Sequence, residues 1–406
     1  MPEEEPSRKK SKAESSDLEE YLKQLPPPPK EHAHELRMEQ RLKRLLAKQK
    51  EKLSDGELRY YSRQVMLDDV GHEGQLKLKK AKVCIVGLGG LGSTIATQLT
   101  AMGVGHLKLV DRDVVEESNL QRQHLYSFDV IGFPKVEAAV KRLEKLNPYV
   151  EFEPLPLSLN ADNAETILGE VDVVADGLDN MSSRYAINRA CVKLGKPYVF
   201  GAAISTYGNA STIVPGKTPC LECFYGKLDD RGLPSCATVG IHPSVLGVVA
   251  SVEAAETVKI ILGKRPALEG RLLYCDISLT RFEEIELARA ENCPVCGLQP
   301  KTSPKPLKRV LVEESCGRNK KRLFVTLPKE NLNLEIRNLI GLLKGDGVRF
   351  TVEANLGATF TPKEGILVSI LKSGIMIAEG TESREETLDI YRTIIDKLNI
   401  PWSRVE

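Results

Sequence analysis

From Lys80 onward the chain alternates short apolar runs with helix-forming stretches, in the order AKVCIVGLGG, STIATQLTAMG, HLKLVDRD, PKVEAAVKRLEKLN and VDVVADGLDN. That rhythm predicts right-handed β-α-β units and a doubly wound parallel sheet, an α/β fold of the Rossmann-like kind. The body is expected to run over residues 55–297 and to end at a Pro/Lys-rich linker, 298–306, in LQPKTSPKPLKR. Residues 307–406 then read as a small α+β domain. Its strand-like runs are KRVLVEE, RLFVTL, VRFTVEA, GILVSILKS and IMIAEG, with helices at Leu334–Leu343 and in SREETLDIYRTIIDKL. At the other end, residues 1–30 are charged and proline-rich, which predicts a disordered tail. Residues 31–54 place Leu36, Met38, Leu42, Leu45 and Leu46 among many charges, the pattern of an amphipathic helix.

Gly87, Gly89, Gly90 and Gly92 stand where the first strand turns into a helix. Without side chains, backbone amides there can approach a phosphate at the positive helix end. Asp111 closes the next strand, where a carboxylate can accept ribose hydroxyls. A nicotinamide-dependent dehydrogenase would look the same to this point. It fits less well beyond, because Asn119 and the cations Arg122 and Lys135 follow the ribose-binding strand, and a triphosphate needs such positive charge more than a dinucleotide does. Asp179 follows the apolar run VDVVA and is expected at a strand's carboxyl end, where it can hold magnesium; Asp176 is a weaker second ligand.

The cysteines add a second constraint. Cys220–Cys223 in PCLECFYG and Cys293–Cys296 in NCPVCG can together give one zinc ion four thiolates, a closed structural site with no position left for substrate. Cys236, in LPSCATVGIHPS, lies between the clips as a candidate nucleophile. Cys84, Cys191 and Cys275 sit in apolar runs and are expected to be buried, whereas Cys316 lies in a polar turn. His242 reads as a helix cap or surface residue, and Trp402 as a packing anchor.

In order along the chain, RYYSRQVML, GLGGLGS, LVDRDVVEESNLQRQ, GFPKVE, GLDN and PCLEC…NCPVC strongly resemble the ubiquitin-like-protein activating enzymes. The likeness extends to their bacterial-type relatives that adenylate sulfur-carrier proteins for molybdopterin and thiamine synthesis, and covers roughly residues 55–297. By this resemblance Gly90, Asp111, Ser118, Asn119, Leu120, Gln121, Arg122, Lys135, Asp179 and Asn180 are expected to bind ATP and magnesium. Arg63 would reach across a homodimer, and the four clip cysteines would hold zinc. The implied substrate is a small carrier protein ending in Gly-Gly. Its carboxylate would be adenylated and then passed to Cys236 as a thioester, or, in the alternative, adenylated with no enzyme thioester. The small-residue run Phe200–Ser211 would suit a narrow tunnel for that tail.

Lys plus Arg (57) nearly balances Asp plus Glu (56), which leaves no electrostatic footprint for nucleic acid or an anionic membrane. No apolar run approaches a bilayer span, the start of the chain lacks an apolar signal region, and the C-x-x-C usage points to a reducing compartment; a cytoplasmic protein is expected. By analogy with eukaryotic activating enzymes, the C-terminal domain would meet a conjugating enzyme. Every residue assigned to ATP precedes the linker, so removal of residues 305–406 is expected to spare adenylation.

Overall fold

The computed structural model describes residues 52–230, 233, 236–298, 311–316 and 322–406. The expected tail, nearly all of the expected helix 31–54 and nearly all of the linker lie outside the described residues. The chain divides into two units, residues 1–68 and 69–406. In the first, the helix Asp55–Tyr60 starts in a reciprocal capping box. Glu57 N–H donates to Ser54 Oγ (3.3 Å), and Ser54 N–H donates to Glu57 Oε2 (2.8 Å). Arg63 lies in the turns after this helix.

The second unit is built on two sheets. Strands β1 (Lys82–Val86), β2 (His106–Val110), β3 (Glu151–Leu155), β4 (Val173–Asp176), β5 (Tyr198–Ile204), β6 (Tyr207–Ile213), β7 (Arg271–Asp276) and β8 (Arg281–Glu286) lie in the order β3-β2-β1-β4-β5-β6-β7-β8. The pairings β2–β3, β1–β2, β1–β4 and β4–β5 are parallel, as the alternating pattern predicts. From β5 to β8 the sheet continues antiparallel. Chain order reverses between β1 and β4, so a crevice opens beyond their carboxyl ends.

The helix Pro243–Leu262 buries Val245, Val249, Ala250 and Ala254 in the same core as β1 and the helix Gly90–Met102. This packing gives another reason for the small residues between Phe200 and Ser211, which form the β5–β6 hairpin. A Cβ on Gly201 would lie 2.1 Å from the Glu253 carboxylate, and one on Gly208 would lie 2.4 Å from Val249. These two glycines therefore make room for the helix. Glu253 is itself buried with no hydrogen-bond partner, and burial pushes its carboxyl well above the usual carboxylate range.

Strands β9 (Val312–Cys316), β10 (Arg322–Thr326), β11 (Arg349–Glu353), β12 (Gly357–Lys363), β13 (Ile366–Leu371) and β14 (Met376–Glu379) form an antiparallel sheet in the order β11-β12-β13-β14-β10-β9. One face packs on the helices Ile336–Gly345 and Arg384–Lys397 through Leu339, Phe360, Val368 and Ile395. Trp402 anchors the end of the chain edge-on against Tyr391, 6.1 Å between ring centres. On the opposite face Val325, Leu371, Ile375 and Ile377 form a smaller cluster that receives Val114 from the loop after β2. Among the described residues, no helix is long and apolar enough to cross a membrane.

Candidate functional site

The crevice at the β1–β4 switch is made by backbone touching backbone. Gly87 has φ +88° and its missing Cβ would meet Gly177 O at 2.6 Å; a Cβ on Gly92 would meet Gly87 O at 1.8 Å, and one on Gly177 would meet the same oxygen at 2.1 Å. No side chain fits at these three positions. The helix Gly90–Met102 begins here with Gly89 at its cap position and no side-chain cap on its first amides, which leaves them available to an anion.

Asp111, buried at the end of β2, ties the loop to the sheet. Its Oδ2 accepts the Leu88 N–H (2.6 Å) and its Oδ1 accepts the Asp113 N–H (2.7 Å). Tyr126 Oη donates to Leu88 O at 3.0 Å, so the Leu88 peptide is held from both sides. Lys135 Nζ lies 2.9 Å from Asp113 Oδ2. Burial pulls the Lys135 ammonium downward, but Asp113, Asp111 and Asp179 together hold it above the ordinary lysine range. Partial desolvation pulls the half-exposed Asp113 upward, and Lys135 and Arg112 outweigh it, keeping the carboxylate below its usual range. For Asp111 burial wins and its carboxyl is raised.

Ser118 to Arg122 form a tight turn around the 3-10 segment Glu117–Asn119. Asn119 is buried and accepts the Glu116 N–H at 3.2 Å; Arg122 is bonded back to Ser118 O at 2.7 Å; Leu120 is half-buried and Gln121 exposed. Two residues beside these were not singled out from sequence. Gln123 is buried with Oε1 unpartnered, and its Nε2 lies 3.9 Å from where a Gly89 Cβ would be. Its only signal is adjacency to Arg122. Arg112 sits between Asp111 and Asp113 and is paired outside the first sheet.

Asp179 is exposed after β4, where a metal could reach it. Asn180 caps the helix Met181–Leu194, accepting the Ser183 N–H at 2.9 Å, and Asp230 adds its carboxylate to the Met181 and Ser182 amides at 2.6 and 3.0 Å. The reading of Asp176 as a second metal ligand does not hold. It is fully buried, accepts the Leu178 N–H at 2.9 Å, pairs with Arg184 Nε at 3.1 Å and accepts from Tyr198 Oη. Its carboxylate is committed to the core, and burial raises it despite Arg184.

The two clips come together as predicted. Cys220, Cys223, Cys293 and Cys296 have their sulfurs within 4.8 Å of one another, with Cys220 Sγ to Cys293 Sγ at 3.6 Å and Cys223 Sγ to Cys296 Sγ at 3.3 Å. Tetrahedral zinc with sulfur at about 2.3 Å puts ligand atoms about 3.8 Å apart, so the donor set fits that ion. Asn188 holds the first clip by accepting the Leu221 N–H at 3.0 Å, while Arg189 pairs with Glu222 at 2.6 Å. Arg289 donates to Cys296 O at 2.7 Å from the second. Cys84, Cys191 and Cys275 are buried as expected, and burial pushes the Cys84 thiol up to about 12. Cys236 opens a four-residue helix, Cys236–Val239, separate from the long helix that starts at Pro243. His242 caps the long helix, its Nδ1 accepting the Ser244 N–H at 3.2 Å.

The model of the ThiF family matches residues 61–295, and the chain belongs to that family. A sulfur carrier protein adenylyltransferase of Thermus thermophilus is 43% identical over 250 residues, 60% of this chain and 92% of the relative. The SAMP-activating enzyme E1 of Haloferax volcanii is 41% identical over 58% of this chain and 88% of its own length. An adenylyltransferase and sulfurtransferase MOCS3 of Culex quinquefasciatus is 38% identical over 61% of this chain but only 57% of that protein. Among solved structures, E. coli MccB with AMPCPP and MccA superposes with a TM-score of 0.51 at 27% identity, covering 59% of this chain and 72% of that one.

Proposed function

We propose that the protein is an ATP-dependent activating enzyme for a small carrier protein of the ubiquitin-like or sulfur-carrier kind, and that Cys236 then takes the activated carboxyl as a thioester: its thiol loses a proton, the sulfur bonds to the acyl carbon, the bond from that carbon to the phosphate oxygen breaks, and AMP leaves. The observation that carries the adenylation reading is the convergence of the glycine crevice, Asp111, the Lys135–Asp113 pair and Asp179 at one strand switch. The names of the Thermus and Haloferax relatives support it. A carrier carboxylate is already an anion at neutral pH, so no base is needed. Its oxygen attacks the ATP α-phosphorus, the bond from that phosphorus to the β-phosphate oxygen breaks, and pyrophosphate leaves. The uncapped helix start orients phosphate, and Lys135 and Arg122 supply positive charge where negative charge accumulates. Asp179 would hold magnesium, which when bound neutralises phosphate charge. The four clip cysteines would hold zinc as a structural ion. Arg63 would act from a second copy in a homodimer.

Carrier-dependent ATP–pyrophosphate exchange tests the adenylation step, and Cys236 tests the next one. Cys236→Ala retains exchange, because adenylation uses no thiol, but loses the thiol-sensitive enzyme–carrier adduct. Cys236→Ser leaves a thiol-resistant oxyester on intact-mass analysis. A wild-type enzyme that exchanges normally yet forms no adduct supports the second reading, adenylation without an enzyme thioester, which the Thermus relative's name also fits. Cys296→Ser releases the metal and lowers the melting temperature by about 5 °C or more. Metal analysis of purified wild type finding no zinc removes that assignment.

A further inference from the structure

The segment carrying the nucleotide residues is held from outside by the C-terminal sheet. Arg112 Nη1 donates to Glu313 Oε2 on β9 at 2.9 Å. Thr359 Oγ1 on β12 donates to Gly132 O at 2.7 Å, and Ser373 Oγ donates to Pro156 O at 2.5 Å. The buried carboxylate of Glu137, two residues beyond Lys135, accepts the Asn355 and Leu356 N–H groups at 3.2 and 2.8 Å. Gly357 lies so close to Pro134 that a Cβ would stand 2.8 Å from the proline ring. These contacts fall on both sequence flanks of Asp113 and Lys135.

We propose that the C-terminal domain contributes to the nucleotide site, with Glu313 a positioning residue that holds Arg112 as a further cation for the ATP polyphosphate. The inference rests on reading the crevice as an ATP site. Arg112 stands in the chain between Asp111, which accepts the Leu88 N–H of the glycine loop, and Asp113, which pairs with Lys135, so the turn that carries it also carries the groups read as the ATP site. Left to itself, an arginine on a turn samples many rotamers; the Glu313 carboxylate selects one, so less ordering remains when the nucleotide arrives. With Arg112 one-third exposed and Glu313 about two-fifths, the pair adds little to folding stability, and its loss is felt in affinity. This proposal runs against the expectation that residues 305–406 are dispensable for adenylation, because Glu313 lies among them.

Direct calorimetric binding of MgATP to the full chain, with no carrier present, tests this. Arg112→Gln and Glu313→Gln each weaken binding by about tenfold, the scale of one charge-assisted contact, with melting temperature essentially unchanged. The double variant binds no more weakly than Arg112→Gln, because Glu313 acts through Arg112. The sign is diagnostic: removing a negative charge near an anionic ligand should by Coulomb's law alone tighten binding. Unchanged or tighter MgATP binding by Glu313→Gln overturns the proposal, as does a double variant that loses the product of both single effects. If wild type binds no MgATP, the crevice is not an ATP site and both readings fall together; wild-type binding with an indifferent Glu313→Gln overturns this one alone.

Discussion

Lys135→Ala lowers carrier-dependent ATP–pyrophosphate exchange by about 10²- to 10³-fold, the usual loss when a preorganised group facing developing charge is removed from a site. Lys135 is buried, held 2.9 Å from Asp113 and kept charged by neighbouring carboxylates, so in the role proposed for it no reorganisation would be needed as pyrophosphate begins to leave. Its partner Asp113 is half-exposed and can be rehydrated once the lysine is gone. The fold should therefore survive with a modest shift in melting temperature. Exchange at more than about one-fifth of the wild-type rate in a folded Lys135→Ala protein would be too small a loss for the role assigned.

Arg184→Leu carries the largest expected cost in stability, about 3–5 kcal/mol, because it leaves the Asp176 carboxylate in the core with its charge partner removed. The guanidinium also donates to Leu178 O at 2.6 Å and Gly201 O at 2.8 Å, so three acceptors lose it at once. Asp176 is raised by burial even with Arg184 present, and loses its nearest cation in the variant. A carboxyl raised in the folded state favours folding below its unfolded pKa and loses that advantage as pH climbs toward the folded value. The deficit of Arg184→Leu should thus widen from about pH 5 to pH 8. Urea unfolding at both ends of that range measures it; a deficit below about 1 kcal/mol at pH 8, or one that narrows with pH, contradicts the account.

The parallel half of the fold was legible because strands buried on both faces, such as Val83–Val86 and Val173–Ala175, are continuous apolar runs separated by helical ones. In the C-terminal domain the runs read as strands form β9, β10, β11, β13 and β14, and both expected helices form; what was not legible is the antiparallel edge of the first sheet and β12. Every residue of β8, RFEEIE, is exposed, and β12, GATFTPK, mixes glycine, threonine and proline, so neither carries a clear strand signature. The glycine loop and the four-cysteine cluster were readable from spacing alone. Asp176 was misread because a carboxylate at the end of a strand looks alike in sequence whether it faces solvent or a buried arginine on the next helix. Arg112 and Glu137 escaped notice because what distinguishes them is contact with residues about 200 positions later, which no local pattern encodes.

Those separations also set an order in time. Arg112 waits for Glu313, Gly132 for Thr359 and Pro156 for Ser373, 201, 227 and 217 residues downstream. At ribosomal rates of about 5–20 residues per second, the first strands spend roughly 10–40 s outside the exit tunnel before their covering sheet is synthesised. Val114 and the turn at Pro156 are bare throughout that interval. The nascent chain therefore leaves the segment from Arg112 to Pro156 without its covering sheet for that interval, and a chaperone acting during synthesis is expected to bear on yield more than on the stability of the finished protein.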